Sequence, residues 1–144
     1  MIKYTLIFIL LISTSSIFGQ DLNGQWRGNF ISKYDTSERT EYLLNLEVNG
    51  TEIEGTSTSY FNIAGKHYYV ICKITGTLDL KSQIIVISEI SNIKSNTPYW
   101  YRDCFQKHIL TYFRKGDTEI IEGKWEGARK EDNCGTGTTL LSRK

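Results

Sequence analysis

The sequence predicts an all-β fold, an antiparallel up-and-down barrel of about eight strands. Three observations predict it. Short runs rich in Ile, Val, Thr, Tyr and Phe succeed one another at close spacing, with no helical heptad and one proline in 144 residues. Apolar residues within those runs fall on alternate positions, the period of a strand with one buried face. Residues suited to tight turns, Asn49-Gly50 and Gly116-Asp117, stand between runs, as consecutive hairpins require.

Residues 1–19 read as a cleavable export signal. Lys3 supplies a positive start, Leu6 to Ile12 an apolar core, and Ser13, Thr14, Ser15, Ser16 and Gly19 small residues near a cut. The apolar run is shorter than the roughly 20 residues that span a bilayer, so no stable membrane anchor is expected after cleavage. Cleavage after Gly19, or alternatively after Ser16, sends the rest to the periplasm or outside the cell. No cysteine sits at the cut for lipid modification.

Residues 20–144 then form a single domain, too short for a second core. Strands are predicted near Gln25 to Ser32, Glu41 to Asn49, Glu52 to Tyr60, Tyr68 to Leu78, Gln83 to Ile93, Phe105 to Arg114, Glu119 to Arg129 and Thr136 to Ser142. Tyr42, Leu44, Leu46 and Val48 share one face, as do Tyr68, Val70, Cys72, Ile74 and Leu78. Strands with one apolar face avoid open edges by closing into a barrel; a β-sandwich is the alternative. Asn49-Gly50-Thr51 also matches a glycosylation sequon, but a hairpin turn explains the same residues. An internal echo pairs Asn23-Gly24-Gln25-Trp26-Arg27-Gly28 with Glu122-Gly123-Lys124-Trp125-Glu126-Gly127, and Gly-Thr recurs at Gly55-Thr56 and Gly76-Thr77. Glycine inside strands marks bends, which a small, strongly curved barrel needs.

Charge excludes some partners. The seventeen basic residues lose Lys3 with the signal and then equal the sixteen acidic ones, with no basic run left. Nucleic acid and anionic membrane surfaces are therefore not expected partners.

All three cysteines lie in the exported part, where an oxidising compartment permits a disulfide. Cys72 shares its face with Val70 and Ile74 and reads as a buried small hydrophobe, whereas Cys104 and Cys134 sit at loop-to-strand junctions, so these two are paired. A zinc site from the cysteines and His108 lacks any local ligand spacing, and no cofactor or metal is expected. His67 and His108 read as solvent-facing strand residues. The acidic pairs Asp103 with Asp132 and Glu119 with Glu122 have no spacing that argues for acid and base work, and no phosphate loop or nucleophile elbow is present. The chain is not expected to be an enzyme.

Gly24-Gln25-Trp26, a few residues after the signal, resembles the Gly-x-Trp that opens the first strand of calycins: lipocalins, fatty-acid-binding proteins and avidins. Arg143 stands where a lipocalin places an arginine over that tryptophan, and Gly55-Thr56-Ser57-Thr58 is similar to the Gly-Thr-x-Thr of an avidin strand. The resemblance implies a calycin-like barrel whose tryptophan closes one end. The lipocalin Thr-Asp-Tyr and the avidin Trp-Lys are missing, so neither lipocalin activity nor biotin binding carries over. The Gly123 to Gly127 segment, followed by Cys134 and a last strand, also resembles small exported bacterial proteins, which implies fold alone.

Two functional readings follow. In the first, inward Trp26, Phe30, Tyr42, Tyr60 and Tyr68 line a cavity for a small apolar or amphipathic molecule. In the second, Pro98-Tyr99-Trp100-Tyr101-Arg102-Asp103 binds a protein or glycan, since consecutive aromatics cannot all face one core and aromatics beside arginine are common interface anchors. The plain alternative for that segment is that Trp100 plugs the barrel end while the tyrosines lie along the surface.

Overall fold

The computed structural model describes residues 21–131 and 134–143; residues 1–19, expected to be an export signal, and Asp132 lie outside the described residues. Eight strands run in chain order: β1 (Gly24–Ser32), β2 (Arg39–Asn49), β3 (Glu52–Ile63), β4 (Lys66–Asp79), β5 (Ile84–Ser95), β6 (Gln106–Lys115), β7 (Thr118–Gly127) and β8 (Thr136–Arg143). Each pairs antiparallel with the next, and β8 pairs back onto β1, which closes an up-and-down barrel with no free sheet edge.

The alternation seen in the sequence sets the inside. Trp26, Tyr42, Leu44, Leu46, Ile53, Ile74, Ile85, Ile87, Leu110, Ile121 and Leu141 form the core that fills one end of the lumen. Leu22, just before β1, is fully buried and accepts a 2.9 Å hydrogen bond from the Trp26 indole N–H. The Arg143 guanidinium covers the other side of that ring, 4.1 Å from its centroid. It donates from Nε to Glu119 Oε2 at 2.9 Å and from its terminal nitrogens to the carbonyls of Asp21 and Asn23. This end is a sealed floor.

Curvature comes from the strand glycines. A Cβ on Gly28 would lie 2.0 Å from the Leu140 carbonyl oxygen, and one on Gly123 would lie 1.9 Å from that of Ile109. The two glycines hold different places in the echo, since Gly24, the counterpart of Gly123, would put a Cβ no nearer than 3.7 Å, to the Arg143 side chain. The β3–β4 hairpin is longer than the sequence reading placed it, because Ala64 and Gly65 both adopt positive φ (49° and 77°) and make a two-residue turn.

One seam is short. β5 pairs with β6 only from Ile84 to Ser88, although β5 runs on to Ser95 against β4 through two register shifts. At the end opposite the floor, the wall between β5 and β6 is therefore held by side-chain hydrogen bonds, from the Gln106 N–H to Glu89 and from the Asn92 amide to Asp103, rather than by a ladder.

Candidate functional site

The inward series of β5 runs Ile85, Ile87, Glu89, and that of β6 runs Leu110, His108, Gln106. Toward the mouth the lumen thus turns from apolar to polar while staying buried. Glu89 occupies the first position past the β5–β6 ladder. Its Oε2 accepts the Gln106 backbone N–H at 2.9 Å, the proton that the missing rung would have bound. Its Oε1 accepts the hydroxyls of Ser57 (2.7 Å) and Tyr42 (2.9 Å). Three donors are met by a carboxylate that offers about four acceptor positions, so one remains on Oε2.

Beneath this group the His108 ring stacks on Tyr42, with centroids 4.8 Å apart, and its Nδ1 lies 2.8 Å from Thr139 Oγ1. Nε2 of His108 and Oε1 of Gln106 are buried without a hydrogen-bond partner. Burial raises the Glu89 carboxyl above the ordinary range, against the three donors that pull it down. Burial alone lowers His108 to about 3, so its ring is neutral. Tyr42 is pushed well upward by burial and by the Glu89 charge.

Above the polar layer four connections surround the mouth, among them the long β5–β6 loop at 96–105 and the β7–β8 loop. The Cys104–Cys134 disulfide ties these two together with a Cα separation of 5.7 Å. Tyr101 reaches in from the loop and stacks on Phe61, with centroids 5.3 Å apart. Asp103 is fixed by a 2.8 Å hydrogen bond from the Asn92 amide. Together these groups line an open cavity of about 250 Å³, walled by Phe30, Phe61, Tyr101, Phe105 and Trp125 and floored by Glu89 and Gln106. Cys72, the free cysteine, also lines it, but burial, then Glu89 and Asp103, push its thiol up to about 12, which leaves it a thiol rather than a nucleophilic thiolate.

The five residues that the sequence proposed for a lumen site fall in five different places. Phe30 is a cavity wall. Trp26 belongs to the sealed floor, and Tyr42 is fully buried between Glu89 and His108. Tyr68 lies at the rim beside Phe61. Tyr60 points outward and is 42% exposed, because strand parity places Ser59 and Phe61 inside and Tyr60 between them outside.

Within the aromatic segment Tyr99 is fully exposed, Trp100 is 57% exposed and Arg102 is exposed; Tyr101, not Trp100, enters the mouth. His67 is exposed as expected, but His108 is not solvent-facing: it shares the parity of Leu110 and is fully buried. Glu119 is committed to Arg143 and to the Tyr112 hydroxyl, and Glu122 is exposed on the outer face.

Sequence alone does not single out Glu89 and Gln106, and it places His108 toward solvent. Parity is the signal that finds them: Glu89 continues the inward series of Ile85 and Ile87, and His108 followed by Gln106 continues inward from Leu110. Compared with protein-family models, with curated proteins and with solved structures, the chain matches none.

Proposed function

We propose that the protein is an exported, non-enzymatic binding protein that holds a small amphipathic ligand in the mouth of its barrel. The observation that supports this most is the contrast between the two ends of one lumen. One end is packed solid around Trp26, whereas the other keeps a cavity with aromatic walls and a polar floor. Binding sites are concave and carry fixed polar groups that orient the ligand, and this cavity combines aromatic side chains with as much polar lining. A volume near 250 Å³ suits a small molecule rather than a long acyl chain. The disulfide across the mouth fits an oxidising compartment and a rim that keeps its shape.

The exposure of Tyr99 and Trp100 beside Arg102 supports a second reading, a protein- or glycan-binding loop. Native and denatured masses of the purified exported protein separate the two. A retained ligand adds mass in the native state that denaturation removes, and Ser59→Phe, which fills the cavity from an inward position, should abolish it. Equal native and denatured masses for the wild type would count against a tightly held ligand and move function to the loop.

A further inference from the structure

Building on the mouth-binding reading, we propose that the ligand is a small organic cation: an ammonium group on an apolar body. The lining of the cavity has one sign of charge. Asp35, Glu38, Glu89 and Asp103 line it, and no Lys, Arg or His does among the described residues. The whole chain carries a formal charge of only +1, so this concentration is local. Asp35 is held below the usual carboxylate range by hydrogen bonds from Ser37, which keeps a full negative charge at the rim.

A second, independent feature points the same way. The Gln106 amide oxygen, on a lining residue with 8% exposure, has no donor. Glu89, in the same lining, uses Oε2 for one hydrogen bond, from the Gln106 backbone N–H, which leaves acceptor capacity on that oxygen. An acceptor buried without a partner is costly, and a ligand that donates hydrogen bonds removes that cost. An ammonium group brings such donors together with the charge that the carboxylates lack.

The walls refine the class. Ring faces attract cations, and Phe30, Phe61, Tyr101, Phe105 and Trp125 surround the space. Phe105 already carries the Arg129 guanidinium, 5.2 Å from its centroid, and Arg129 is not part of the lining. A compact metal ion fits poorly: no three His, Cys, Asp or Glu side chains among the described residues converge on one point. Carboxylates dispersed around aromatic walls suit an extended organic cation instead.

Titration calorimetry of the disulfide-bonded exported protein in phosphate buffer tests this with three probes of one shape: phenethylammonium, 2-phenylethanol and phenylacetate. Phenethylammonium should bind at least about tenfold more tightly than the alcohol, and phenylacetate most weakly. Glu89→Gln should erase most of that preference; Glu38→Gln, at the rim, should reduce it even if the buried substitution impairs folding. Alcohol binding as tight as that of the cation, or a preference unchanged in both variants, overturns the cation assignment and leaves the mouth-binding reading standing. Binding by none of the three also overturns the assignment, and the retained-mass measurement then judges the mouth-binding reading separately.

Discussion

His108 and Glu89 are adjacent layers of one buried stack, yet they give opposite pH dependences. The folded His108 takes up a proton only near pH 3, whereas an unfolded histidine does so near 6.5. Its neutral burial therefore contributes fully above about pH 6.5, and that contribution is lost as pH falls through the window from 6.5 to 3. Glu89 is the reverse. Its folded pKa lies above 4.5, so the folded state keeps a proton that the unfolded chain releases, and stability is lost as pH rises above 4.5. His108→Phe, which keeps a ring against Tyr42, should gain on the wild type as pH falls below about 6.5. Glu89→Gln should gain on it as pH rises above about 4.5. Urea midpoints between about pH 4 and 7.5 read both differences; differences that do not vary with pH would mean that neither group titrates as burial dictates.

At the scale of elements the fold depends on the β1–β8 seam, where the chain's first and last strands close the barrel. Gly28 sits in that seam because the Leu140 carbonyl oxygen occupies the place of a side chain. Gly28→Ala should cost about 3 kcal/mol or more, since a backbone group must move rather than a flexible side chain. Chemical unfolding measures it, and a loss below about 1 kcal/mol would show that the seam yields easily. The strands were legible because period-two alternation and turn residues are local signals. The β3–β4 turn was less so, since Ala64 adopts a positive φ that its side chain does not advertise. The site was legible only in part. Aromatic residues drew attention to Phe30 and to the 98–103 segment, but which aromatic turns inward depends on the loop path that the disulfide fixes. Glu89 and Gln106 look like ordinary surface residues until their parity and the short β5–β6 ladder are considered together.

As a whole the molecule is asymmetric along its axis: a dry, ring-capped floor and a mouth held by side chains and one disulfide. In the chain-entropy account, closing the loop between Cys104 and Cys134, 30 residues apart in sequence, contributes roughly 3 to 4 kcal/mol. Reduction should lower global stability by about that amount. It should also speed amide exchange around Tyr101 to Gln106 well before Trp26 and Leu44 respond. Uniform acceleration at both ends would show that the barrel opens as one unit. The floor has a further consequence for orientation. Arg143 grips the Asp21 and Asn23 carbonyls, so both ends of the described chain leave from the sealed pole. A tether attached at either end, whether to a surface, a label or another domain, therefore points the mouth away from its support, with the approach to the cavity unobstructed.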